Sequence, residues 1–438
     1  MKKYYFMVPG LLFLTCMVSC KQENTLSVPD ETTLEHQCVQ RLTEVIVYDI
    51  FSPPVAGRIY AYSNLAYYEA IRFADMNSFS LVAKMKGFGS VPVPDDKLKY
   101  QFSVAAVKAF FKVARALTFS KDSLVTTEKK ILQKFENALE PAVYNNSIEF
   151  GDKIADVILK RAAEDNYKIT RGMPKYSVFK ETGKWQQTPP DYADAVEPHW
   201  HLINSLVLDS SAQYKPTPPP PYSLSKNSKY DKELMEVYEV SKKITPVQDT
   251  IAHYWDDNPF VTEHTGHLMF ATKKTTPGGH WMGIVSIISK QTKADALLTA
   301  KAFAITATAI FDGFISCWDE KYRSRMVRPI TVIRENIDPN WNALLQTPPF
   351  PEYPSGHSVI TSAAATVLEN IFGNQIAFLD TTELIYLGMQ RNFLSIKAAA
   401  DEAGISRLYG GIHYRAAIEE GKKQGQQVGQ LVNARLQK

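Results

Sequence analysis

Cysteine is scarce in this chain, four residues in 438. Cys16 and Cys20 fall in or beside the N-terminal apolar run, which leaves Cys38 and Cys317 for the folded body. Two cysteines so far apart exclude a disulfide framework and a metal centre built on thiolates alone, and buried free thiols are the expectation. A charge excess is also missing. Lys and Arg number 49 against 46 Asp and Glu, so nothing in the overall charge argues for nucleic acid as a partner. Beyond the N-terminus no stretch runs long enough without charge to span a bilayer; the best, 296–317, carries Lys301 and Asp312. No repeat of roughly 20–50 residues exists, which excludes a solenoid, and alternating β-branched runs are few. What remains is 45% hydrophobic and 22% charged, the composition of a large globular body with ample core.

The first residues read as an address. Lys2 and Lys3 precede an apolar run from Tyr4 to Val18, and the run ends Met17-Val18-Ser19-Cys20. That ending resembles a bacterial lipoprotein signal. The resemblance implies removal of residues 1–19, lipid on Cys20, a polar tether over 20–33, and an exported protein anchored by lipid alone to the cell envelope, on the periplasmic or surface face of the outer membrane.

Apolar residues at three- and four-residue steps predict helices over 36–51, 55–73, 98–117, 127–139, 147–165, 232–243, 293–317, 358–372, 382–401 and 414–436. Ser52-Pro53-Pro54 breaks the first two, and the proline-rich run 215–221 is a stiff extended connector. The expected fold class is all-α, a helical bundle. The connector divides an N-terminal helical half, 34–222, from a C-terminal half, 223–438.

Three ordered blocks in the last third carry chemistry: Lys321 with Arg328-Pro329, then Pro354-Ser355-Gly356-His357, then Ser406-Arg407 with His413. Singly, each is unremarkable, because a Lys and an Arg seven apart commonly share a solvated helix face. Together they supply what a tetrahedral oxyanion needs. Lys321, Arg328 and Arg407 are three cations, two with planar bidentate forks. Ser355 offers a hydroxyl, Gly356 an accessible backbone N–H, and a helix starting near Ser358 would aim its positive end at the anion. His357 and His413 can then attack or coordinate the central atom from one side and move a proton on the other.

These blocks resemble the signature of the type 2 phosphatidic acid phosphatase and vanadium-dependent haloperoxidase superfamily. The lead-in Pro348-Pro349-Phe350-Pro351-Glu352-Tyr353 is similar to that of the haloperoxidase branch, and Trp318 and Phe350 match its halide-pocket aromatics. The resemblance implies His413 as the vanadium ligand, or as the nucleophile of an acid phosphatase working through a phosphohistidine. It implies His357 as the acid–base group, and Lys321, Arg328, Ser355, Gly356 and Arg407 around the oxyanion, with Lys321 also polarising bound peroxide. The cofactor is vanadate for a haloperoxidase and none for a phosphatase; the partners are hydrogen peroxide and halide, or a phosphate ester. The segment Ile251–Asp257 resembles one whose aspartate pairs with the anion-site arginine, so Asp257, or its neighbour Asp256, is the expected partner of Arg407; a helix N-cap is the alternative. One departure stands out. The family's aspartate four residues after the final histidine is Ala417 here, and Glu420 or a backbone carbonyl is the expected substitute. His264 and His267 read as a surface pair on a helix, and His280 as a turn residue at the pocket mouth.

Overall fold

The computed structural model describes residues 1–3, 29–178, 180–265 and 267–437. The lipoprotein signal and Cys20 lie outside the described residues. The expected tether ends sooner than its polar composition suggested. Residues Glu31–Thr33 form a 3-10 turn whose Glu31 carboxylate accepts hydrogen bonds from Gln101 and Ser103, so this stretch is already part of the body.

Fifteen α-helices occupy the described residues, with two small antiparallel hairpins. Ahead of the proline connector lie α1 (Leu34–Tyr48), α2 (Pro53–Ile71), α3 (Phe102–Leu117), α4 (Asp122–Glu136), α5 (Pro141–Ala163) and α6 (Tyr167–Arg171). After it come α7 (Lys229–Lys242), α8 (Pro246–Tyr254), strands β1 (Phe260–Thr265) and β2 (Leu268–Lys273), α9 (Pro277–Gln291), α10 (Ala296–Ser324) and α11 (Pro329–Asn336). The chain ends with α12 (Gly356–Phe372), β3 (Phe378–Asp380), α13 (Leu384–Leu387), β4 (Arg391–Phe393), α14 (Ile396–Tyr409) and α15 (Arg415–Leu436). Proline opens α2, α5, α8, α9 and α11, where its missing N–H leaves no donor unsatisfied.

Two expectations change. The helix expected over 382–401 is three elements, because Gly388 turns left-handed (φ +67°) to end α13 and Ser395 caps a new helix by accepting from the Ala398 N–H. The short α8 and α11 and the Gly-rich start of α9 went unread, since glycine pairs and eight- or nine-residue patterns give little periodic signal.

One apolar core threads both sides of the connector, from Leu34 and Tyr60 through Phe110, Phe311 and Val359 to Leu436. Helix α2 is buried around nearly its whole circumference, as expected of a helix that is apolar on every face. The long helix α10 packs against both α2 and α12. It alone, among the described helices, is long and apolar enough to cross a bilayer, yet its apolar window is 89% buried inside the protein. Its buried Asp312 accepts from the backbone N–H groups of Leu206, Val207 and Leu208 at 2.7–2.9 Å, which pins the N-terminal half's last loop to the helix. Cys38 and Cys317 are buried free thiols.

Helices α12 and α15 pack backbone to backbone. Gly421, Gly425 and Gly429 recur every four residues on α15 and face α12. A Cβ at Gly421 would come 2.9 Å from the Ser355 carbonyl oxygen, at Gly429 2.9 Å from that of Ala363, and at Gly425 still nearer that of Val359. Backbone therefore rests on backbone, and neither side can yield as a flexible side chain would. Gly425→Ala is expected to lower unfolding stability by about 1–3 kcal/mol, through overpacking. Chemical denaturation checks this: the midpoint should fall with little change in slope.

Candidate active site for a tetrahedral oxyanion

The N-terminus of α12, the C-terminus of α10, the segment before α11, the end of α14 and the loop before α15 meet beside a cavity of about 460 Å³. Gly356, His357, Arg407, His413, Trp318, Phe350 and Asp257 line it. Lys321, Arg328 and Ser355 are fully buried beside that lining: Arg328 bonds to Phe350 and His413, Lys321 lies over the Phe350 ring, and Ser355 directly precedes Gly356. The three sequence blocks, up to 92 residues apart, thus form one site.

Ser355 is the N-cap of α12. Its hydroxyl accepts from the Ser358 N–H at 3.3 Å, its N–H donates to the Ala417 carbonyl at 3.0 Å, and the helix begins at Gly356, two residues ahead of the expected start. The positive end of α12 therefore faces the cavity.

His413 has an assigned orientation. Its Nδ1 lies 2.8 Å from Glu352 Oε1, a carboxylate oxygen that also accepts from the Tyr414 N–H at 2.9 Å. Its Nε2 lies 3.2 Å from Arg328 Nη1, which can only donate. The ring is thus protonated on Nδ1 and presents a lone pair at Nε2. Burial, with Arg328, Lys321 and Arg407 nearby, holds its pKa well below the usual histidine range, so the ring stays neutral. Glu352 is the orienting group that sequence reasoning sought at Glu420. Glu420 instead accepts from the Thr217 N–H of the proline connector and pairs with Lys423. Glu352 lies 61 residues before His413 and no helical spacing links them, so only the fold could reveal the pair. Ala417 is small because its backbone carbonyl receives Ser355 and its side chain is fully buried against that turn.

The cations meet carbonyls rather than carboxylates. Arg328 donates to Phe350 O at 3.0 Å and Ile412 O at 2.8 Å, and its Nη2 is buried without a partner. Lys321 donates to the carbonyls of Pro351, Glu352 and Pro354, with the Phe350 ring centroid 5.0 Å away. As arranged, Lys321 offers charge more than a free donor. Burial pushes its amine down to about 7 and the Arg328 guanidinium down to about 10, while burial lifts the Glu352 carboxyl to about 8.

Arg407 corrects an expectation. It donates to the carbonyls of Ala252 and Trp255 and to Ser406 Oγ, and no hydrogen bond joins it to Asp257. Asp257 turns toward two histidines, with Oδ1 2.9 Å from His280 Nδ1 and Oδ2 3.4 Å from His357 Nε2. Asp256 pairs with Lys274 Nζ at 2.6 Å. The physical reason is geometric: α8 ends by offering its free carbonyls to the guanidinium, and those satisfy it first. His357 is largely but not fully buried, its side chain 15% exposed, and burial together with the neighbouring Arg407 lowers its pKa, although Asp257 partly restores it. His280 is no turn residue; it sits buried in the first turn of α9. His264 belongs to strand β1, not to a helix, and His267 is exposed in the turn beyond it.

Trp318 and Phe350 form one apolar wall, ring centroids 5.1 Å apart, with the Trp318 Nε1–H donated to the Val196 carbonyl. Pro53, Pro189, Phe260 and Pro277 add further apolar surface to the lining.

Comparison with known proteins agrees with this architecture. The model of a family described as the VCPO second helical-bundle domain matches residues 301–438. A solved bacterial vanadium-dependent iodoperoxidase is 45% identical, with a TM-score of 0.88 over 92% of this chain and 96% of that one. The holo form of a bacterial vanadium-dependent chloroperoxidase shares the fold at 14% identity, with a TM-score of 0.70 over 94% of this chain and 97% of that one. Its apo form gives 0.68 at 15% identity, over 88% and 94%. No curated protein matches by sequence.

If Glu352 fixes the lone pair of His413, Glu352→Gln should weaken tungstate binding by about 10–100-fold, and Arg328→Ala by at least as much. Calorimetric titration with tungstate measures both; unchanged affinity in Glu352→Gln would contradict the assignment.

Proposed function

The chain belongs to the vanadium-dependent haloperoxidases, and we propose that it oxidises halide with hydrogen peroxide at a vanadate held by His413. The carrying observation is the neutral, Nδ1-protonated His413, its Nε2 lone pair set among three buried cations.

The residues present suit vanadate. Arg328 Nη2 and His357 Nε2 are buried polar atoms without hydrogen-bond partners, and Lys321, Arg328 and Arg407 bond to backbone carbonyls rather than to carboxylates, with Glu352, Asp256 and Asp257 as the neighbouring acids. A tetrahedral oxyanion would offset the burial, and the lesser repulsion from Arg328, that push Lys321 down, and so favours its charged form. His413 would hold the metal, and Arg328, Arg407, Lys321, Ser355 and the Gly356 N–H would meet the oxygens. When bound, vanadate supplies the Lewis acidity that activates peroxide for two-electron transfer from halide.

The protein's part is proton and solvent control. His357, kept neutral by burial, takes a proton from hydrogen peroxide at Nε2, and Asp257 beside it steadies the resulting imidazolium. The net change consumes halide, peroxide and one proton and yields hypohalous acid and water, so the proton on His357 is returned within the cycle. Trp318 and Phe350 give a dry, polarisable wall suited to a large halide. Similarity to the iodoperoxidase makes iodide the favoured substrate.

From the resemblance of residues 1–20 to a lipoprotein signal we propose in addition that the enzyme is exported and tethered through lipid on Cys20, with peroxide and halide arriving from solution.

Purified protein without residues 1–19, loaded with vanadate, should form triiodide from iodide and peroxide. His413→Ala should lose that activity and its vanadate binding together. His357→Ala should keep vanadate within a few-fold of normal affinity while kcat falls by about 10²–10⁴. Hydrolysis of p-nitrophenyl phosphate without any halide oxidation would overturn the assignment in favour of a phosphatase.

A further inference from the structure

Behind Asp257 lies a second buried cluster that the reaction as described does not use. His280 is fully buried on α9, and both its ring nitrogens meet carboxylates: Nδ1 stands 2.9 Å from Asp257 Oδ1, and Nε2 stands 2.9 Å from Asp380 Oδ2 at the end of β3. Glu383 Oε1, just before α13, is 3.5 Å from Nδ1. The ring stacks on Trp255 at 4.4 Å and 16°, and Tyr254 meets it edge-on at 5.5 Å. A neutral imidazole has one N–H and one lone pair, so it could satisfy only one of these two carboxylates and would turn its lone pair on the other. Asp257 and Asp380 are both held below the ordinary carboxylate range and so are ionised, and two short contacts to ionised carboxylates require a doubly protonated ring.

We propose that His280 is a positioning residue for the halide-oxidising reaction: a fixed imidazolium that holds Asp257 as the anionic neighbour of His357. The proposal rests on the functional reading above, since it gives His280 its task through His357. The geometry explains why Asp257 bonds to His280 rather than to Arg407. His280 takes Asp257 Oδ1, and Oδ2 is left facing His357 Nε2 at 3.4 Å, with neither atom finding another partner. At that separation no hydrogen bond joins them while His357 is neutral, and the contact becomes an ion pair as His357 is protonated.

The surrounding charges are consistent with that role. Burial lifts the Glu383 carboxyl to about 8, so it is the neutral member of the cluster near neutral pH. Burial opposes the charge on His280, but Asp257 and Asp380 outweigh it and raise its pKa well above the usual value. Asp257 is likewise pushed up by burial and pulled below the ordinary carboxylate range by His280 and His357. Lys274 is spent on Asp256. The charged or titratable groups facing His357 are then Asp257 and Asp256 from the segment after α8, Arg407 from α14 and, beyond the anion position, His413.

The sign follows from these charges. Replacing His280 by glutamine keeps a hydrogen-bond donor for Asp257 but deletes the cation. Asp257 becomes more basic and the field at His357 more negative, so protonated His357 is favoured. His357 must be neutral to accept a proton, so the acidic limb of the pH profile moves to higher pH.

In the vanadate-loaded enzyme, His280→Gln should shift the acidic limb of kcat/KM for peroxide upward by about one pH unit. A loss of rate that is uniform with pH would mark a merely structural residue and overturn the proposal. The charge state has its own readout in vanadate-free protein carrying 15N-labelled histidine. One imidazole should stay protonated on both nitrogens from about pH 5 to about pH 9, and its signal should vanish in His280→Gln. A His280 resonance showing a neutral ring overturns the proposal even if the variant fails to fold. An unaltered protein that oxidises no halide sinks the functional reading and this role together. An active one whose limb does not move in His280→Gln sinks the role of His280 alone.

Discussion

Three cations buried with carbonyls instead of carboxylates set the terms for everything around them. Taking Lys321, Arg328 and Arg407 out of water costs several kcal/mol each, and the usual remedy is an ion pair. Here the chain withholds it. Lys321 is wrapped by carbonyls of the 351–354 segment, Arg328 by those of Phe350 and Ile412, and Arg407 by those at the end of α8. Carbonyl dipoles compensate part of the desolvation without neutralising the charge. The result is a pocket whose positive potential is retained for an arriving oxyanion, and whose stability is highest once that anion binds.

Such a pocket needs rigid walls, and the scaffold supplies them by backbone contact. The glycine face of α15 lets it lie against the carbonyls of Ser355, Val359 and Ala363, so the N-terminus of α12 is fixed by atoms that have no rotamers to change. The Ser355 N–H bonded to the Ala417 carbonyl closes the same contact from the other side. Asp312, accepting three backbone N–H groups from the 206–208 loop, anchors the N-terminal half to α10, the helix whose last turn carries Lys321.

The ordered blocks of charged and small residues were legible because their chemistry is local. Lys321, Arg328, Ser355, Gly356, His357, Arg407 and His413 were each named from the sequence, and the fold brings them around one cavity. What escaped were residues whose meaning depends on a partner far along the chain. Glu352 read only as part of a proline-rich lead-in, yet it orients His413. Asp257 and Asp256 lie near enough to Arg407 to stabilise its charge, yet the Asp257 hydrogen bond goes to His280, because free carbonyls at the end of α8 satisfy the guanidinium and nothing in the sequence shows that. His280, next to a glycine pair, read as a turn, since N-terminal helix turns and loops share that composition. Long amphipathic helices were readable by period, while the short helices and the hairpins near 260–273 and 378–393 lack enough residues for one.

A single rule then accounts for the different behaviour of three buried histidines. Burial alone pushes every imidazole toward neutrality, and the carboxylates each ring meets decide whether it stays there. His413 meets one carboxylate, which burial itself makes reluctant to ionise, and faces cations on its other side; it remains a neutral ligand. His280 meets two carboxylates at hydrogen-bond distance and no cation, so it is charged. His357 lies between these cases, drawn up by Asp257 and pushed down by Arg407. That intermediate balance is what a group must have if it is to take and return a proton in each turnover. It arises only because Asp257 is shared between His357 and a ring that never gives its charge up.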